Sequence, residues 1–351
     1  MPIPDLIAFK IGLNNSVDGE TVGFVGFKSS QYKKFEILKV VSSTEKLIAL
    51  FKKHPREAVR CYSFWALTER KETINFIELL KIGLTDDRIV HVQHGDIGIN
   101  MTVADFLILQ AHGVINKNDS LMLDSLILFS DKNLSSKHYL LMKIKPKKNY
   151  YKRISSLALN QKNITAIIAL AKFQKIHDID LIFNQLKDTL IDPYYSLLAI
   201  KYMPNDTFAN LLIQIQQKDL LSKERYSNVS ITDLYKALVR IENIQIKNGL
   251  ESFVEQAKEI QENKFLPDSI KYKNKNKYKF GNLIQAVSSY NHVRDSIENI
   301  ENKTGDHLRH LRLALFDFPK SKYQYLAEKM NYDSLTLESI KCELSYTNDR
   351  E

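Results

Sequence analysis

The chain is poor in the residues that punctuate β-rich folds and in those that staple small ones. Only 11 glycines and 8 prolines occur in 351 residues, whereas sandwiches and barrels need Gly/Pro-rich turns every ten residues or so. Two cysteines, Cys61 and Cys342, lie near opposite ends and neither has a nearby partner, so neither a disulfide framework nor a cysteine zinc site is suggested. No run of 18 apolar residues is present, which argues against a membrane span. The opening Met-Pro-Ile-Pro-Asp-Leu lacks the basic and apolar regions of a secretory signal, so the expected compartment is the cytoplasm. Phosphate-binding loops, dinucleotide fingerprints, nucleophile elbows and kinase signatures are absent, and no carboxylate pair is singled out by spacing. No cofactor or metal is therefore expected, and no catalytic motif points to a particular enzyme activity.

What is there is ample core material. Apolar residues make up 44% and aromatics 10%, so global disorder is excluded. Fifty Lys and Arg against 41 Asp and Glu give a formal net charge of +9, which attracts acidic or phosphate-rich partners without choosing between them.

Four of the eleven glycines (Gly12, Gly19, Gly23, Gly26) fall within residues 1–29. Together with the alternation in Thr21–Phe27 they predict a short strand or an extended arm. From Ser30 the period changes. Tyr32, Phe35, Leu38 and Val41 form a helical stripe. Ser42 and Glu45 match a capping box ahead of Leu47, Ile48, Leu50 and Phe51, and that helix stops at His54-Pro55. A second helix carries Val59, Tyr62, Trp65 and Ala66, and a third carries Ile74, Ile77 and Leu80, ending in the polar turn Thr85-Asp86-Asp87-Arg88.

The short helix, the His-Pro turn and the following Ala58-Val59-Arg60 leading into Tyr62, Trp65, Ala66 and Leu67 resemble a HEAT repeat over residues 43–90. The resemblance implies an α-solenoid of stacked helix pairs, because one pair alone cannot bury its own apolar stripe. It also implies that Arg60 is an inter-repeat hydrogen-bonding residue. The expected fold is all-α: irregular HEAT-like pairs with the extended arm in front.

The expected organisation is an arm over residues 1–29, a helical array over 30–142, a basic linker or loop over 143–154, a second array over 155–265, a lysine-rich link over 266–281 and a helical region over 282–351. Gly95 and Gly98 interrupt the repeat pattern between His91 and Asn100. A helix resumes at Thr102, and a break near Gly249 divides two helices over 232–262.

His91, His94 and Asp96 invite a metal reading, but no third ligand is placed by the sequence and polar loop histidines are the plainer account. His307 and His310, with Arg309 and Arg312 on an adjoining face, read as a solvated helix face that can recognise phosphate. Trp65 sits where a packing residue belongs. Two tracts interleave lysine with tyrosine: Lys147, Lys148, Tyr151, Lys152 and Arg153, with Tyr150 among them, and Lys273, Lys275 and Lys277 between Tyr272 and Tyr278. Such a composition suits nucleic-acid backbones and stacked bases, and equally a solvated loop. The function expected from all this is macromolecular binding. The partner is another protein, with toxin neutralisation or assembly as specific versions; the alternative is a nucleic-acid-binding or base-repair role using the basic tracts.

Overall fold

The computed structural model describes residues 1–187, 192–221, 228–264 and 290–330. It is mostly helical and divides into two compact units, Met1–Ser156 and Leu157–Glu351. The lysine-rich link expected at 266–281 and residues 331–351 of the helical region expected over 282–351 lie outside the described residues. No helix among the described residues is long and apolar enough to cross a membrane.

The first unit is not all-α. Its helices are α1 (Ile3–Asn14), α2 (Ser30–Val41), α3 (Thr44–Lys53), α4 (Glu57–Glu69), α5 (Phe76–Gly83), α6 (Val103–Ala111), α7 (Lys117–Phe129), α8 (Ser135–Lys143) and α9 (Tyr151–Asn160), the last running on into the second unit. Among them sits a four-stranded mixed sheet of β1 (Ser16–Val22), β2 (Phe27–Lys28), β3 (Ile89–Gly95) and β4 (Ile97–Thr102), in the order β2-β1-β3-β4. Strands β1 and β3 run parallel, and the other two pairings are antiparallel.

The expected extended arm is thus a helix followed by a strand. Helix α1 opens on Pro2 and Pro4, whose fixed φ suits a first turn. It ends at Asn15 in the left-handed region, φ 49°, a conformation asparagine tolerates. The stretch expected to break the repeat, 91–100, is strand because Gly95, at φ +58°, closes a two-residue turn between His94 and Ile97. A side chain at Gly19 has no room: a Cβ there would stand 2.4 Å from Nδ1 of His94.

Helix α3 is capped one residue later than the capping-box spacing suggests. Ser43 accepts from the Lys46 amide, while the Ser42 hydroxyl is buried without a hydrogen-bond partner. Helix α4 has no cap of its own. Asn15 supplies one from outside: its Oδ1 accepts from the Ala58 amide at 3.1 Å and its Nδ2 donates to Glu57 at 2.6 Å. The sheet is fixed to α4 by Tyr62, whose hydroxyl accepts from the Asp18 amide and donates to the Asp18 carbonyl. Phe35, Tyr62 and Trp65 stack around it.

Arg60 and Asp86 are both buried and form an ion pair. Arg60 Nε also donates to the carbonyl of Phe51 at the end of α3, 2.8 Å. Asp86 accepts from Nε and Nη2 of Arg88 at 2.8 Å each. The polar turn 85–88 is therefore an anchor for three elements, since the Ala104 amide at the start of α6 donates to the Asp86 carbonyl.

In the second unit α10 (Ile164–Ala171), α11 (Ile179–Leu186), α12 (Pro193–Tyr202), α13 (Ala209–Leu221), α14 (Asn228–Arg240), α15 (Ile244–Lys264), α16 (Tyr290–Asp317) and α17 (Tyr325–Lys329) are joined by short turns or by undescribed segments. Helix α10 packs on α12, α12 on α14, and α14 on α16, while α13 packs on α15. The break between α14 and α15 falls at Ile241–Asn243, where Tyr323 donates to the Ile241 carbonyl. Gly249, where the break was expected, lies inside α15, with nothing within 4 Å of where a Cβ would stand. Residues 143–154 are not a free linker either. Tyr150 is 2% exposed and Ile154 is fully buried, so apolar packing holds the tract down.

Burial alone would raise the Asp86 carboxyl; the Arg88 hydrogen bonds and the charges of Arg60 and Arg88 override it and hold its pKa below the ordinary value. A carboxyl depressed in the folded state stabilises fully above its unfolded pKa, about 3.9, and that contribution fades as pH falls through the folded value. Urea unfolding from pH 7 to pH 2 should accordingly show Asp86→Asn less stable at pH 7 and with a shallower acid loss than the parent. Parallel pH profiles would contradict the assignment.

Candidate functional site

Two places gather chemically capable side chains. The first is a shallow groove of about 330 Å³ in the first unit, lined by Lys81, Leu121, Met122, Ser125, Leu126, Lys147, Asn149 and Tyr150. Helix α7 forms its floor. The cap at Asn116, whose Oδ1 accepts from the Asp119 amide, starts that helix. At its other end Arg153 donates to the carbonyls of Leu128 and Ser130 and to Asp131, closing carbonyls a helix leaves open.

Tyr150 forms the groove wall. Its hydroxyl pairs with Ser125 Oγ at 2.8 Å, its ring meets Phe129, and the Lys147 ammonium stands 5.2 Å from its centroid. Leu121 and Met122 remain 44% and 49% exposed. Lys81 and Lys147 supply positive charge, partly offset by Glu78, which pairs with Lys81, and by Asp124, whose pKa burial raises against the pull of Lys147 and His112.

The second place is a buried polar chain in the second unit. Gln216 Nε2 donates to the Tyr235 hydroxyl at 3.0 Å; that hydroxyl lies 3.0 Å from His307 Nδ1; and His307 Nε2 lies 2.6 Å from Asp219 Oδ2. The links close as a continuous chain when His307 Nε2 donates to Asp219 and one proton is shared between Nδ1 and the Tyr235 hydroxyl. Burial pushes the Tyr235 phenol well above its ordinary range, with the Gln216 hydrogen bond opposing and the Asp219 charge adding, which keeps it a donor. Lys303 donates to the Asp219 carbonyl at 2.9 Å, and Thr232 Oγ1 meets His310 Nδ1 at 2.9 Å.

A carboxylate-imidazole-phenol chain has the parts of a proton relay. Here all four members are buried, so no substrate atom reaches them in this packing. The chain instead fixes the register of α13, α14 and α16.

These geometries redistribute the residues singled out by the sequence. His307 and His310 are core groups, not a solvated face, because their ring nitrogens find partners on neighbouring helices. Arg312 donates to the Met330 carbonyl, while Arg309 is exposed. Of the first basic tract, Tyr150 is core and Arg153 caps α7; Lys148 and Lys152 are exposed, Tyr151 and Lys147 half-buried. Lys273, Lys275 and Lys277 lie outside the described residues. His91 and His94 point to opposite faces of β3, His91 pairing with Asn100. Among the described residues no three His, Cys, Asp or Glu side chains converge to hold a metal. Burial raises the Cys61 thiol far above its usual range, so it is no nucleophile.

Lys81, Leu121 and Met122 were not legible as site residues. The only signal was the apolar run Leu121–Phe129, which reads as core until α7 is seen to present part of it outward.

No family model, no curated protein and no solved structure matches the chain.

If the Tyr235–His307–Asp219 chain sets helix register, His307→Leu should cost about 3–5 kcal/mol in urea unfolding and Tyr235→Phe about 1–3 kcal/mol. Losses within about 0.5 kcal/mol, as for a solvated face, would contradict it.

Proposed function

We propose that the chain is a protein-binding module whose first unit grips an acidic, amphipathic segment of its partner. The observation that carries this reading is the groove over α7: an apolar floor of Leu121, Met122 and Leu126 with Lys81 and Lys147 at its rim. Exposed apolar side chains bordered by charge suit an amphipathic helix, whose apolar face enters while its acidic flank meets the lysines. Capping at both ends of α7 and the Ser125–Tyr150 hydrogen bond make the groove preformed, which reduces the ordering cost of binding.

An array of HEAT-like pairs is the architecture we assign around it. The packing of α4 on α6, and of α10, α12 and α14 on successive alternate helices, supports that assignment, as do the α3–α4 pair and the Arg60 bond to Phe51. The sheet is then an insertion in the array. For the nucleic-acid alternative, the burial of Tyr150 and the commitment of Arg153 to α7 leave the first basic tract with lysines and the half-buried Tyr151. Base stacking needs an open aromatic face.

The test is fluorescence anisotropy with a labelled acidic peptide carrying apolar residues at i, i+3, i+4 and i+7. Met122→Glu combined with Lys147→Glu should weaken binding at least tenfold, about 1.4 kcal/mol, and the exposed control Lys152→Glu less than threefold. Equal effects from all variants, or preferential salt-sensitive binding of single-stranded DNA, would contradict the reading.

A further inference from the structure

Strand β4 is one edge of the sheet. Its sequence, Ile-Gly-Ile-Asn-Met-Thr, carries no charge and no proline, and its pairing with β3 runs without a bulge from Ile89↔Thr102 to His94↔Ile97. Edge strands are ordinarily protected by lysine, proline, a bulge or brevity. The opposite edge, β2, is only two residues, Phe27–Lys28, and one of them is a lysine. Strand β4 has none of these protections, and its first four residues are exposed, with Ile97 at 65% and Ile99 at 47%.

The register dictates which backbone groups face outward. In a two-residue hairpin the closing pair, here His94 and Ile97, exchanges hydrogen bonds. By alternation Val92–Ile99 and Val90–Met101 also do so, and Gly98 and Asn100 turn their N–H and C=O away from β3. Their side-chain face carries no cation or anion, while Ile97, Ile99 and Met101 share the other face.

We infer that β4 pairs antiparallel with β4 of a second copy of this chain, about a two-fold axis through Ile99. That axis sets Gly98 against Asn100 of the second copy, and Asn100 against its Gly98, so the outward N–H and C=O groups of Gly98 and Asn100 on each strand are paired. Ile97 falls against Met101 of the second copy and Ile99 against itself, covering the exposed isoleucines. The absence of charge favours self-pairing over a foreign strand. A two-fold sets the strand against its own reversed sequence and only the residue on the axis, Ile99, against its own kind, so a lysine or glutamate there would meet a like charge. In a chain with net charge +9, an uncharged edge lets a copy dock without that repulsion. The product is a continuous eight-stranded sheet, and the inference stands independently of the groove.

Sedimentation velocity on the full chain over a range of concentrations tests it. A dimer of the 40.7 kDa chain is expected, and Ile99→Lys, which sets two ammonium groups across the axis, should weaken association at least tenfold with an unchanged circular dichroism spectrum. In a background with Cys342→Ser, Ile99→Cys should form a disulfide with its own copy under mild oxidation, because directly opposed residues bring Cβ atoms within disulfide reach. Ile97→Cys, more exposed but remote from its own copy in this register, should not. A monomer at every concentration, or a dimer that survives Ile99→Lys without Cys cross-linking at position 99, would overturn the inference.

Discussion

A guanidinium and a carboxylate buried side by side organise the first unit. Desolvating two charges is expensive, and their attraction compensates only when further hydrogen bonds satisfy both groups. Arg60 meets this condition through the Phe51 carbonyl, and Asp86 through Arg88. Arg88 reaches on to the Pro55 carbonyl and to Glu57, which is held by Asn15 at the α1–β1 joint. One connected set of polar contacts thereby locks the end of α3, the start of α4, the approach to β3 and the entry to β1. The positions of both sheet edges follow from it, because β1 and β3 are the central strands.

Helical stripes were legible wherever one face is buried and the other wet. Phe35 and Leu38, then Leu47, Leu50 and Phe51, fall at the spacing burial requires, and Trp65 stacks in the core region its stripe indicates. The sheet was not legible as a sheet. Its central parallel pairing joins residues about 75 positions apart, and no local period records such a contact. Strand β3–β4 did leave a trace: Val90, Val92, Ile97 and Ile99 alternate around Gly95-Asp96, a hairpin signature, but the neighbouring helical repeats bias the reading toward a broken helix. Helix α1 hides its period differently. Ile7, Ala8 and Ile11 are buried while Ile3, Leu6, Phe9 and Leu13 are exposed, so apolar residues occupy both faces.

Polar residues were the hardest to place. A histidine or lysine reads as surface until a partner is known, and the partners of His307, Asp219 and Tyr235, lie 88 and 72 residues away along the chain. Arg153 similarly reads as part of a basic tract, yet its bonds run to carbonyls at the end of α7. The groove combines both difficulties: its lysines come from two separate segments, and its apolar floor resembles core. The groove over α7 and the uncharged edge of β4 are surfaces the packing leaves uncovered.

The claim that the Arg60–Asp86 pair is the organising contact is tested most directly by hydrogen exchange on Arg60→Met, which fills the volume but removes the charge. The account predicts faster amide exchange across β3, β4 and the first turn of α6, with exchange in α12 and α14 of the second unit unchanged. Exchange in β3 and β4 identical to that of the parent chain would contradict it.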